Sequence, residues 1–155
     1  MARQGGFTYL GLLFAIAFLG LLTASAGEVW HVASQRDREE ELLFVGQQFS
    51  DALASYRAAT PVEPKQFPRR LEDLLEDRRG PTMRRHLRKI FVDPMTSGTE
   101  WGLVKVGDGI TGVYSLAEGR PLKRANFPEG ASFSNANSYR DWRFLATADS
   151  AGKDQ

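Results

Sequence analysis

The strongest pattern in the chain lies at its start. From Phe7 to Ala26 twenty consecutive positions carry no charge, and ten of them are large and apolar: Phe7, Leu10, Leu12, Leu13, Phe14, Ile16, Phe18, Leu19, Leu21 and Leu22. Twenty helical residues rise about 30 Å, the thickness of a bilayer's hydrocarbon core. Each large apolar residue favours insertion by roughly 0.3–0.6 kcal/mol, so the ten together favour it by about 3–6 kcal/mol. The pattern predicts a membrane helix over residues 7–27. Arg3 precedes it and Glu28 follows it. A positive flank held inside predicts a cytoplasmic N-terminus and an exported C-terminal portion.

Beyond the apolar run the spacing changes but stays helical. No proline occurs before Pro61. Leu42, Val45, Phe49, Ala52 or Leu53, and Tyr56 recur at intervals of three and four, which predicts an amphipathic helix over residues 28–60. Its first part, Arg36-Asp37-Arg38-Glu39-Glu40-Glu41, is polar all round and reads as a solvated face. Pro61, Pro64 and Pro68 then mark a loop. Leu71, Leu74 and Leu75 form one face of a short helix. After Gly80-Pro81, Thr82 can cap a second helix, with Met83, Leu87 and Ile90 or Phe91 on its buried face.

Alternation takes over from there. Trp101 to Val106 and Ile110 to Leu116 alternate around the turn Gly107-Asp108-Gly109, a β-hairpin signal. Further short strands are expected near Leu122–Phe127 and Tyr139–Ala146. Ala148 onward is small and polar and reads as a fraying tail over residues 148–155. A long N-terminal helix followed by a small antiparallel sheet is an α+β layout, with a head spanning residues 61–147.

Composition narrows the chemistry. The chain has 155 residues, no cysteine and a formal net charge of +1. Disulfides, thiolate metal sites and a cysteine nucleophile are excluded. The only histidines, His31 and His86, form no His-x-x-x-His pair, so no transition-metal site is expected. Neither supports a nucleophile–base arrangement, and no phosphate-loop glycine pattern occurs. No catalytic residue, cofactor or metal is expected. Trp101, Trp142 and Phe144 read as core.

Charge is segregated, however. Residues 65–89 hold nine basic and four acidic side chains, net +5, whereas residues 28–51 are net −4. The basic run reads first as a solvated face, second as a surface pairing with the acidic segment of another subunit. Nucleic acid ranks last, because Phe67 is the only aromatic within the run.

The junction Gly5-Gly6-Phe7-Thr8 changes the picture. A short basic leader ending in glycine, then Phe and Thr opening an apolar helix, resembles the processing signal of type IV pilins and type II secretion pseudopilins. Phe67-Pro68-Arg69-Arg70-Leu71-Glu72-Asp73-Leu74 is similar to the Tyr-Pro-x-x-Leu-x-x-Leu segment of pseudopilins. Asp93-Pro94 through Gly98 is loosely similar to the loop leading into their sheet. The resemblance reaches from Gly5 to about Gly102.

That resemblance implies a pilin-like fold and a structural, non-enzymatic role. A leader of residues 1–6 would be cut by prepilin peptidase between Gly6 and Phe7, and Phe7 would be N-methylated. Phe7, Leu10, Gly11, Leu12, Leu13 and Phe14 would lie on the membrane and filament helix. The implied partners are prepilin peptidase, other pilin or pseudopilin subunits and inner-membrane lipid, with the head in the periplasm. Assembly would build a periplasmic pseudopilus or a pilus for protein secretion.

One departure stands out. The family usually carries a glutamate five positions into the mature chain, and here that position is Gly11. The carboxylate that would pair with a neighbour's N-terminal amine is missing, which points either to a minor subunit or to a chain that is not assembled in the usual way. Calcium ligands of the major pseudopilins find no aligned counterpart in Asp108, Glu118 or Asp141, and Asp108 reads as a turn residue. A competing reading comes from Thr23-Ala24-Ser25-Ala26, whose small-x-small pattern suits signal peptidase. Cleavage after Ala26 would release a secreted or periplasmic binding protein starting at Gly27.

Overall fold

The computed structural model describes residues 5–61, 63–127, 133 and 135–147, without the side chains of residues 5–7 and 21–29. The chain forms two compact units, Met1–Asp37 and Arg38–Gln155. Helix α1 spans Gly5–Ala58 and contributes to both. In the first unit α1 buries no large apolar side chain among the described residues. Tyr9, Leu10, Leu12, Leu13, Phe14, Ile16, Phe18 and Leu19 are all exposed, Phe14 at 68%.

The second unit is an α+β head. The predicted stripe on α1 is its spine: Leu42, Val45, Phe49, Ala52, Leu53 and Tyr56 are all buried. They meet Trp101, Ile110, Val113, Tyr139, Trp142 and Phe144 in one core. The Phe49 ring lies 5.1 Å from the Trp101 ring and 6.1 Å from that of Phe91. Gly46 lets the sheet come close, since a Cβ there would clash with the Phe144 ring. The helix ends at Ala58, three residues before Pro61, whose ring cannot continue it.

Three antiparallel strands form the sheet in the order β1 (Gly102–Val106), β2 (Gly109–Tyr114), β3 (Phe144–Leu145). The expected hairpin is present. Gly107 takes φ +58° in its turn, a conformation open to glycine without a Cβ penalty. Register runs from Gly102↔Tyr114 to Val106↔Gly109 and slips between Val104 and Lys105. Thr111 is the extra residue at that bulge. Its hydroxyl donates to the Val104 carbonyl, and its own carbonyl accepts from Ala146 N–H. A bulge thus ties all three strands together.

Several expectations are corrected. No second helix forms over residues 82–91. Arg84 instead makes an isolated antiparallel bridge with Asp77, and the N–H groups of His86 and Leu87 both donate to the Leu74 carbonyl. Those peptide groups are claimed by a neighbouring segment, so no i→i−4 ladder is available to them. Leu87 is buried as expected, whereas Met83 is exposed. The first short helix shrinks to a 3₁₀ turn, Leu71–Leu74.

Leu122–Phe127 is not a strand, because the N–H groups of Leu122 and Lys123 turn to the Glu39 carboxylate. Of Tyr139–Ala146 only Phe144–Leu145 pairs. Tyr139–Asp141 coils into a 3₁₀ turn, with Ser138 accepting from Arg140 N–H and Asp141 accepting from the N–H groups of Asn137 and Ser138. The tail over residues 148–155 lies outside the described residues.

Candidate functional site

The processing residues expected from the sequence lie at the N-terminal end of α1. Gly6 and Phe7 fall in its first turns, and the surroundings of the Phe7 side chain lie outside the described part. The competing cut site, Thr23–Ala26, falls within α1 with its side chains also outside that part. Leu10, Leu12, Leu13 and Phe14 project from the helix and are exposed. Around Gly11 a Cβ would meet nothing within 4 Å, so the chain's own packing does not require glycine there. Among the described residues no helix is long and apolar enough to cross a membrane. The apolar run of the sequence continues past the described side chains at both ends.

Exposed apolar side chains on successive turns leave no hydrophilic face between Tyr9 and Leu19. A surface helix of a globular protein keeps such a face. Contiguous exposed apolar surface of this kind marks a contact with lipid or with another chain.

The head's polar chemistry centres on three buried carboxylates, Glu39, Asp93 and Asp77. Glu39, expected on a solvated face, is only 1% exposed. Its Oε1 accepts from Leu122 N–H and from the Tyr139 hydroxyl, both at 2.6 Å, and its Oε2 from Lys123 N–H at 2.9 Å. Asp93 is fully buried in the turn that the sequence marks with Asp-Pro. It accepts from the Ser115 hydroxyl at 2.6 Å and from Met95 N–H at 2.9 Å. Nothing in the spacing separates Glu39 from Glu40 and Glu41; only the fold selects which of the three turns inward.

Asp77 is the third. Both of its oxygens are held by Arg79, Nε to Oδ1 and Nη2 to Oδ2, each at 2.8 Å. Arg79 also donates to the Tyr56 carbonyl and the Thr60 hydroxyl, and its guanidinium lies 3.5 Å from the centre of the Tyr56 ring. The hydrogen bonds from Arg79 hold the Asp77 carboxyl well below the usual carboxylate range, against the opposing effect of burial. The same pair raises Arg79, and burial raises Tyr56.

His86 extends this cluster. Its Nε2 is 3.2 Å from Asp77 and its Nδ1 is 2.8 Å from the Ser55 hydroxyl. A serine, an imidazole and a carboxylate are therefore in line. Both oxygens of that carboxylate are already held by Arg79. The arrangement works as a clasp fastening residues 77–86 to the end of α1.

The clasp carries a pH signature. A group whose folded value is depressed contributes stability above its unfolded value, and that stability is lost as pH falls through the folded one. Asp77→Asn is expected to cost about 2 kcal/mol at pH 7, because it leaves Arg79 without its bidentate partner. The gap between the two proteins is expected to narrow as pH falls below about 4, because there the unfolded wild-type chain takes up a proton that the folded carboxylate still refuses. Urea unfolding of both proteins at pH 7 and pH 3 measures it; an unchanged gap refutes the assignment.

The basic run divides on folding. Arg79 turns inward, while Arg69, Arg70 and Arg78 stay at the surface in exposed pairs with Asp108, Glu72 and Glu76. Such pairs contribute little to stability. Asp108 occupies the hairpin turn, Glu118 pairs with Arg140, and Asp141 caps its own 3₁₀ turn. Among the described residues no three His, Asp or Glu side chains gather in a way that could hold a metal ion. The chain matches no family model, no curated protein and no solved structure.

Proposed function

We propose that this chain is a membrane-anchored structural subunit whose α+β head stands outside the cytoplasm. Within that class it is a pilin-like or pseudopilin-like subunit that assembles into a periplasmic pseudopilus or pilus serving protein secretion. Prepilin peptidase cuts it between Gly6 and Phe7, and Phe7 is then N-methylated. The observation that carries the reading is the exposed apolar surface of α1 from Tyr9 to Leu19, which the chain itself does not cover. Burial of that surface in lipid, and later among neighbouring helices, supplies the driving force.

The junction Gly5-Gly6-Phe7-Thr8 and the head built on the C-terminal part of α1 support the same reading. Gly11 is a departure from the family pattern, since no carboxylate is present there to meet a neighbour's terminal amine. No catalytic step is assigned. Mass spectrometry of the mature protein tests the proposal. A chain beginning at N-methylated Phe7 is expected. A chain beginning at Gly27 overturns it in favour of a released binding protein.

A further inference from the structure

Two exposed surfaces of the head have complementary charge and complementary apolar knobs. The first is the outer stripe of α1. Glu40 and Glu41 stand one turn before Phe44, and Asp51 lies two turns after it. All are exposed, Phe44 at 62%. Among the described residues neither Glu40 nor Glu41 has an ion-pair partner within the chain. An aromatic ring left in water between carboxylates is an anchor without its pocket.

The second surface is the segment from Met83 to Val92, which holds four cations, Arg84, Arg85, Arg88 and Lys89, and no acid. Its backbone is fixed by the Asp77–Arg84 bridge and by the two bonds to the Leu74 carbonyl. His86 and Leu87 point inward, so the cations are presented outward on a rigid loop. Met83, 59% exposed, and Val92, 50% exposed, flank them. Neither Arg84 nor Arg88 forms an ion pair among the described residues.

We propose that the stripe Glu40–Glu41–Phe44–Asp51 of one copy docks on the segment Met83–Val92 of a second copy. Phe44 packs against Met83 and Val92, while the glutamates meet Arg84 and Arg88. The two surfaces differ, so the contact is head-to-tail and leaves each copy with one free half. Repetition gives an open chain of subunits, not a closed dimer. Charge complementarity sets the orientation and suppresses the wrong register. The inference rests on the assembly proposed above and supplies a surface for it.

The absence of cysteine makes the test clean. Two differently tagged full-length copies, Phe44→Cys and Val92→Cys, are co-expressed in membranes and oxidised. A mixed disulfide-linked dimer is expected, with far less product from either variant expressed alone. A chain carrying both substitutions is expected to form a ladder of multimers.

Adding Glu40→Arg and Glu41→Arg to the Phe44→Cys copy is expected to lower the cross-linked fraction by about tenfold, through like charges facing each other. Adding Arg84→Glu and Arg88→Glu to the Val92→Cys copy is expected to restore it. Circular dichroism of each variant establishes that the head is folded. No mixed dimer between folded copies, a cross-link to a different protein only, or no effect of the charge reversals overturns the proposal. A mature chain beginning at Phe7 that forms no mixed dimer overturns this surface alone; one beginning at Gly27 overturns the anchored assembly.

Discussion

Glu39→Ala is expected to lower the stability of the head by about 4 kcal/mol, the largest loss from a single polar residue in this protein. The carboxylate is buried and accepts three hydrogen bonds from two places far along the chain, the Leu122–Lys123 turn and the Tyr139 hydroxyl. Bonds to a charged acceptor contribute about 1.5–3 kcal/mol each when broken singly, and donors left unpaired in a buried place add their own desolvation cost.

The three losses are not additive, because water enters once the side chain is gone. A fall of about 15–30 °C in Tm follows for a head of this size. Glu39→Gln separates charge from shape. An amide keeps one acceptor but turns an NH₂ toward a backbone N–H, so roughly half the loss is expected. Thermal unfolding followed by circular dichroism measures both. A loss below about 1 kcal/mol for the alanine variant would show that the Leu122–Lys123 turn is held without Glu39.

Leu13→Arg is expected to detach the protein from the membrane. An arginine near the centre of an inserted helix costs about 2.5–3.5 kcal/mol, and the lost leucine withdraws about 0.5 kcal/mol more. The whole apolar run favours insertion by only about 3–6 kcal/mol, so one substitution removes half or more of the driving force. Partition into membranes is expected to fall by about 150- to 700-fold, with the head still folded.

Leu13→Ala is the control, because it shortens the apolar surface without adding charge. Flotation of membranes from cells expressing each variant reads the result. Equal membrane retention of Leu13→Arg and wild type would refute an anchoring role for this helix. The head's own stability is expected to be unchanged, since Leu13 belongs to the first unit and contributes nothing to the core.

Legibility from sequence varied with how local the determining interaction is. The stripe Leu42 to Tyr56 was readable because helical period and burial coincide over four turns. The hairpin was readable because Gly107 marks its turn and alternating residues mark its two strands. Leu87, Ile90 and Phe91 have helical spacing, yet residues 82–91 form no helix. The peptide groups there are engaged by Leu74 and Asp77, partners that only the fold brings within reach. Leu122–Phe127 failed for a similar reason, its N–H groups being taken by a carboxylate on α1 more than eighty residues earlier.

The candidate sites follow the same division. The apolar run, its uncharged length, the Gly6–Phe7 junction and the segregation of acid and base are written in consecutive residues, and the chain alone determines them. Which glutamate of Glu39-Glu40-Glu41 turns inward, which arginine of the basic run pairs with Asp77, and where His86 comes to rest were decided by the tertiary structure. Each depends on donors and acceptors supplied by distant segments. A side chain's neighbours along the sequence say little about the partners that repay its loss of water.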